Sequence, residues 1–282
     1  MILPLLRREY IPEMISSPWF LLLVGAVGAS LTMVGVWLVS IRIANASYVD
    51  VAWALGIAGT AVAYALLAEG STLHRVLVAG LGTIWGVRLG TYLLSRLAGK
   101  EEDGRYQDLR KRWAPHVNRS FFVFFQAQAL FVVVFSLPFA FVAADEGEMT
   151  WLAWVGAALA LGAIAGEMTA DTQLAVWKGD PANKGKTARN GLWGWSRHPN
   201  YFFEWLMWVA FALLAIGSTL FGWLALAGPL AIYWLLTQVS GIPPLEEHML
   251  RTRGEAFRRY QARTSAFFPL PPRRAAVTGT PS

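Results

Sequence analysis

The chain has 282 residues, 55% of them hydrophobic and only 15% charged, with 14 Trp, 26 Gly and no Cys. A soluble domain carries nearer a quarter of charged residues, so this composition excludes an ordinary aqueous globule, and the aromatic and aliphatic content excludes disorder. Zero Cys excludes a disulfide framework, a Cys-ligated zinc or iron–sulfur centre and a thiol nucleophile. The net charge of +6 fits nucleic acid or an anionic surface equally until the cations are located.

A bilayer core calls for about 20 apolar residues per helix. In chain order, 19–41 carries no charge, 46–68 carries only Asp50, 76–95 only Arg88, 121–144 none, and 151–177 only Glu167 and Asp171. Residues 205–245 are again uncharged and long enough for two spans, with a break at Gly217-Ser218-Thr219. The sequence therefore predicts an all-α polytopic protein with seven transmembrane helices. Residues 1–18 read as a peripheral segment, 19–269 as one membrane domain, and 270–282 as a flexible tail.

Seven spans put the termini on opposite sides. With the C-terminus inside, twenty of the 24 Lys and Arg fall on the cytoplasmic side, and the acidic 145–148 loop falls outside. The positive-inside rule thus predicts N-terminus out, C-terminus cytoplasmic. The charge is explained by topology, and nucleic-acid binding loses its support.

Three inside segments, 97–120, 178–200 and 246–263, are rich in polar groups and predict a cap over a polar ligand, with anchoring to anionic headgroups as the simpler reading. Carboxylates within spans are costly and so are functional candidates. Glu167, Asp171, Leu174 and Lys178 share one helical face, as do Asn200 and Glu204. A salt-bridge ladder between helices and a ligand site both fit that pattern. Pro199 suits the first position of the sixth helix, whose N-terminus is suited to phosphate. Lys178, Lys184, Lys186, Arg189 and Arg197 would supply charge-assisted bonds. His198 has no neighbouring His, so no metal site is expected. In the earlier spans, Asp50 and Trp53 lie three apart, and Trp85, Arg88 and Tyr92 share a face. Mutual neutralisation of Asp50 and Arg88 and polarisation of a substrate carbonyl both remain open.

Several motifs carry a resemblance. They are Gly191-Leu192-Trp193, Ser196-Arg197-His198-Pro199-Asn200-Tyr201-Phe202 and Glu204-Trp205. Ser240-Gly241-Ile242-Pro243, Leu245-Glu246, Tyr260 and Arg263-Thr264-Ser265-Ala266-Phe267-Phe268-Pro269 follow. Tyr48-Val49-Asp50-Val51-Ala52-Trp53, Trp85-Gly86-Val87-Arg88-Leu89 and Asp180-Pro181-Ala182-Asn183-Lys184-Gly185-Lys186 precede them. From about residue 47 to 269 the chain resembles bacterial membrane proteins of the steroid 5-alpha-reductase-like family, and its Arg-His-Pro-Asn-Tyr element is similar to that of sterol C14 and C7 reductases.

That resemblance implies a seven-helix enzyme of the bacterial inner membrane that uses NADPH to reduce an electron-poor C=C, as in a 3-oxo-Δ4-steroid. It implies a cofactor reaching the protein from the cytoplasm and a lipid-like substrate from the membrane. Asp171, Lys178, Asn200 and Glu204 match family cofactor-contact positions, with Arg197, His198, Tyr201, Glu247, Arg251 and Tyr260 at motif positions near them. The family's catalytic Glu–Tyr pair is replaced: Asp50 stands for the acid and Trp85 at the Tyr position. This leaves Tyr92, with Trp53 and Trp85, as the candidate donor set, and predicts an apolar pocket among the second, third and fourth spans. The rivals are an S-adenosylmethionine-dependent membrane methyltransferase of the isoprenylcysteine carboxyl methyltransferase type, which shares an Arg-His-Pro element, and a non-enzymatic lipid-binding protein.

Overall fold

The computed structural model describes residues 17–97 and 99–273. Most of the expected peripheral segment and tail, with Arg7, Arg8 and Arg274, lies outside the described residues.

Among the described residues nine α-helices follow one another: α1 Pro18–Ile43, α2 Tyr48–Leu67, α3 Thr72–Leu97, α4 Gly104–Arg112, α5 Val117–Ala143, α6 Trp151–Gly179, α7 Pro199–Ile216, α8 Ala227–Trp234 and α9 Ile242–Arg263. Short 3-10 turns occupy Pro181–Asn183, Gly191–Gly194 and Leu220–Leu226, and a π turn occupies Leu235–Val239. Among the described residues there is no strand, only an isolated bridge between Ser196 and Ser265. Seven segments among the described residues are long and apolar enough to cross a membrane: α1, α2, α3, α5, α6, α7 and Leu220–Arg263. The chain is an all-helical integral membrane protein, as its apolar runs predict.

Local chemistry sets the boundaries. Ser17 caps α1 by accepting the Phe20 N–H, with Pro18 at the first helical position. The helix ends at Ala44, whose left-handed φ of 52° turns the chain and returns its N–H to Ser40 O. Pro199 opens α7 as the sequence predicts. The break at 217–219 is present: α7 stops at Ile216, and Gly217 O accepts from Thr150 Oγ1 at 2.9 Å. The last apolar run is more segmented than its composition announces. It passes from a 3-10 turn through α8 and the π turn before α9 begins with Pro243 and Pro244 in its first turn. Gly254, at φ 50° and ψ −125°, interrupts α9, a backbone state that suits glycine.

The chain divides into two compact units, one from residues 17–157 and Phe211–Gly228, the other from Ala158–Ala210 and 229–273. In the first, α2 packs most extensively on α3 and α1 on α5. Its core holds Trp85, Tyr64, Phe125, Phe135 and Phe139, all fully buried. Leu23, Leu31, Val76 and Leu130 stand outward and exposed, which suits a hydrocarbon solvent. In the second unit, Phe202, Trp205, Tyr233, Phe267 and Phe268 form an edge-to-face aromatic cluster. That cluster fastens the chain after α9 onto α7 and α8, and it fixes the polar segment beside it.

Candidate active site

Asp50 lies in the first turn of α2. Its Oδ1 accepts a 2.7 Å hydrogen bond from Tyr106 Oη, and its Oδ2 a 3.1 Å bond from Arg105 Nη2. Both donors belong to α4, which is short and strongly polar and would not hold its place alone. Two further contacts clip it to the turn before α2. Ala46 N–H donates to Glu102 Oε1 at 2.7 Å, and Asp103 N–H donates to Ser47 Oγ at 2.8 Å. Arg110 closes the arrangement with paired bonds of 2.8 and 3.1 Å to Glu102. Asp103 caps α4 by accepting the Arg105 N–H, and also accepts from the Arg105 side chain.

These contacts set the protonation states. Burial, the largest influence on Tyr106, and then the Asp50 charge push its phenol well above the ordinary tyrosine value, so it keeps its proton at neutral pH. Burial opposes the charge on Glu102, yet the bonds from Arg110 and the Ala46 N–H outweigh it and hold the carboxyl below its usual range. Asp103 is likewise lowered, burial being overcome by its bonds from Arg105. The site thus presents a protonated phenol backed by a carboxylate and a guanidinium. Such a group donates a hydrogen bond, and then a proton, to an oxygen that gains negative charge.

Tyr92, the phenol that the sequence nominates beside Asp50, is 45% exposed on α3, with the Arg96 guanidinium over its ring. The structure brings Tyr106 to Asp50 instead, and pairs Asp50 with Arg105. The other two nominated residues do meet. Trp53 and Trp85 pack edge to face with centroids 5.9 Å apart, Trp85 is fully buried, and the buried Trp53 Nε1–H has no acceptor among the described residues.

In the second unit, the polar segment between α6 and α7 is braced by Glu246 of α9. Arg197 Nε and Nη2 grip its two oxygens at 2.6 and 3.1 Å. His198 Nε2–H reaches Oε1 at 2.9 Å and Gln261 Nε2–H reaches Oε2 at 2.7 Å. Arg197 Nη1 also donates to Gln261 O and Thr264 O, and the Arg197 N–H donates to Ser265 O. Four of the five guanidinium N–H groups are therefore committed within the fold, and Arg197 is a brace. His198 is buried and stacks on Tyr201 at 5.5 Å. Tyr260 is buried too, its hydroxyl donating to Trp193 O, while Arg189 lies over its ring. Trp193 Nε1–H caps Ala170 O, and Gln173 Oε1 accepts the Leu192 N–H, so the 191–194 turn is pinned to α6.

Around this frame, Lys178, Lys184, Lys186 and Arg189 are exposed. Asp171 on α6 and Asn200 and Tyr201 on α7 are half-buried, and Glu204 is buried and accepts from Trp208 Nε1 at 3.2 Å. Glu247 and Arg251 pair with each other at 3.2 Å on the outer face of α9. Segments 178–200 and 246–263 converge, as the sequence predicts, and the third polar segment, 97–120, docks on α2 within its own unit. Among the described residues no group of three His, Cys, Asp or Glu is placed to hold a metal.

Comparison with known proteins identifies the relatives. Residues 36–264 match the family described as "Protein of unknown function (DUF1295)". The chain belongs to that family. It is also similar to "Uncharacterized protein C594.04c" of Schizosaccharomyces pombe, 29% identical over 272 residues, covering 83% of this chain and 75% of the relative. No solved structure matches.

Tyr106 and its neighbours Glu102, Asp103 and Arg105 are site residues that the sequence reading does not nominate, and Glu246 enters it only as part of a motif. Tyr106 is legible in hindsight as the one aromatic in the charged helix Gly-Arg-Tyr-Gln-Asp-Leu-Arg-Lys-Arg. A buried aromatic there requires a reason.

Proposed function

We propose that this chain is an NADPH-dependent reductase of the C=C bond of an apolar α,β-unsaturated carbonyl compound within a bacterial inner membrane, with its C-terminus in the cytoplasm. The observation that carries the reading is the Tyr106–Asp50 pair: a buried phenol that keeps its proton, held at 2.7 Å by a carboxylate in the first turn of a membrane-spanning helix.

The donor set around 178–201 suits a dinucleotide phosphate, since the lysines and Arg189 are exposed on a segment whose backbone is rigidly braced. Lys178, Lys184, Lys186, Asn200 and Arg189 would hold the cofactor, with Asp171, Tyr201 and Glu204 near them. Bound there, the nicotinamide supplies a hydride. Arg197, His198 and Tyr260 hold the segment in shape. At the other centre, Tyr106 turns its O–H from Asp50 to the substrate carbonyl oxygen. As the new C–H bond forms at the β-carbon, the C=C electrons move to the carbonyl and the oxygen becomes an enolate, stabilised by that hydrogen bond. A proton added at the α-carbon restores the carbonyl, so one hydride and one proton saturate the bond. Arg105 holds Asp50 in position throughout.

Purified protein in detergent, given NADPH with progesterone or a simple apolar enone, should consume NADPH only when substrate is present and yield a product two hydrogens heavier. If S-adenosylmethionine binds in place of NADPH, the reading is overturned in favour of a methyltransferase.

A further inference from the structure

The two polar segments of the second unit, 178–200 and 246–263, carry ten Lys and Arg against four carboxylates. Each of the four is already engaged. Asp180 caps the Pro181–Asn183 turn by accepting the Ala182 N–H. Glu246 is held by Arg197, His198 and Gln261, Glu247 pairs with Arg251 at 3.2 Å, and Glu255 pairs with Arg258 at 3.7 Å. Among the described residues, neither Arg189 nor Arg253 has a carboxylate partner. Yet the fold fixes both guanidinium groups against one short stretch of chain. Arg253 is half-buried on α9 and donates from Nη1 to Thr187 Oγ1 at 3.2 Å. Two residues further along the loop, Arg189 donates from Nη2 to Ala256 O at 2.9 Å and lies over the Tyr260 ring. Both bonds therefore join the same three residues of loop to one turn of α9. Ala188, between them, is buried, which seats that stretch on the protein. Like charges held in this way repel one another, and no carboxylate of either segment is left to offset them.

The remaining donors say what would. Thr187 Oγ1 accepts from Arg253 and keeps its own proton to donate. Each guanidinium has committed one of its five N–H groups within the fold. The arrangement thus offers positive charge with N–H and O–H donors together, which suits an anion with several terminal oxygens. A phosphate monoester carries a charge of about −1.5 to −2 at neutral pH and three acceptor oxygens, and Arg meets such oxygens bidentately. Each phosphorus of a pyrophosphate, esterified and bridged, presents less of both. In NADPH the monoester is the 2′-phosphate, and NADH lacks it.

We infer that Arg253, Thr187 and Arg189 form a phosphomonoester site that takes the 2′-phosphate of NADPH, and that Arg253 is the residue favouring NADPH over NADH. This rests on the reductase reading for the identity of the nucleotide, and on the two uncompensated cations alone for the phosphomonoester.

Titration calorimetry on the detergent-purified protein reads the site without turnover, using NADPH, NADH, adenosine 2′-monophosphate and adenosine 5′-monophosphate. In the wild type NADPH should bind roughly 10–100-fold more tightly than NADH, the range expected of hydrogen bonds to a charged group. The 2′-monophosphate should likewise bind more tightly than the 5′-monophosphate. Arg253→Ala should remove most of both preferences by weakening the 2′-phosphorylated ligands, with NADH unchanged. Arg253→Lys should restore part, since it keeps the charge but not the planar fork. Thr187→Ser should resemble the wild type, and Thr187→Val should weaken NADPH alone. A merely structural tie between loop and helix predicts something else: Arg253→Ala would then lower the melting temperature of the nucleotide-free protein and keep the NADPH preference. The site predicts that this temperature holds or rises, with one of two like charges gone, and that only the added stabilisation by NADPH shrinks. A kept preference, or equal weakening of both dinucleotides, overturns the inference. Phosphatidic acid offers the same headgroup chemistry; if it binds through Arg253 and adenosine 2′-monophosphate does not, the site reads a lipid and the inference falls. An NADPH preference lost in Arg253→Ala, with no enone reduced, keeps the inference and removes the reductase reading. Enone reduction with the preference intact in Arg253→Ala does the reverse, and binding of neither dinucleotide removes both.

Discussion

Tyr106 Oη donates a 2.7 Å hydrogen bond to Asp50 Oδ1 across 56 residues of sequence. The bond joins a short charged helix to the first turn of a membrane span. Arg105, the residue before, takes the second carboxylate oxygen, so one turn of α4 delivers a proton donor and its counter-charge together.

If this phenol is the donor, Tyr106→Phe should lower kcat by about 10²–10³-fold, the usual cost of removing one aimed donor from a developing oxyanion. NADPH affinity should be unchanged, as measured by nucleotide titration. Asp50→Asn should lower kcat as well, while Tyr92→Phe should be close to wild type. A large effect at Tyr92 with none at Tyr106 would return the role to α3.

The clip between α4 and the turn before α2 should be sensitive to acid. The folded-state pKa of Glu102 lies below its ordinary value of about 4.5, so its contribution to stability is complete above that value and fades as pH falls through the folded value. Asp103, lowered from 3.8, acts in the same direction. Glu102→Gln should cost about 1–3 kcal/mol at neutral pH. Its melting curve in detergent should then converge on that of the wild type as the solution is acidified.

Arg197 should behave as a brace. Lysine cannot reproduce its grip on both oxygens of Glu246, and Glu246→Gln leaves the guanidinium poorly compensated among buried groups. Both variants should lower the melting temperature, and breaking the pair outright should cost about 3–5 kcal/mol of stability. A direct cofactor ligand would respond differently: Arg197→Lys would weaken NADPH binding without moving the melting temperature.

Gly25→Ala should destabilise the packing of α1 on α2. Its Cβ would lie 1.8 Å from Tyr64 Oη and 2.8 Å from Cζ, and overpacking of this kind costs about 1–3 kcal/mol. Tyr64→Phe in the same chain should recover part of the loss, since it removes the nearer atom.

Because the chain has no Cys, single introduced thiols report sidedness directly. Lys111→Cys and Lys186→Cys should be shielded from an impermeant maleimide added to intact cells, and Glu148→Cys should be labelled. The reverse pattern would invert the orientation.

The spans are legible in the sequence because a bilayer imposes one simple demand, about 20 apolar residues at a time, and because Pro199 and Gly217 punctuate the chain where it turns. The brace is partly legible: Arg197 and His198 stand out, and Glu246 belongs to a motif, but 48 residues separate it from His198 and no spacing pairs them. Tyr106 is hidden for a different reason. Its partner is distant in sequence, and α4 is held by contacts from Glu102 and Asp103 to backbone and hydroxyl groups of the turn before α2, which no periodicity reveals.

The most direct test of the reductase account is the fate of the hydride. NADPH deuterated at the transferable position of its nicotinamide should give a saturated product one deuterium heavier than that from ordinary NADPH, with the label on the β-carbon, and Tyr106→Phe should slow its formation. A product without deuterium, or a methylated product formed from S-adenosylmethionine, would contradict it.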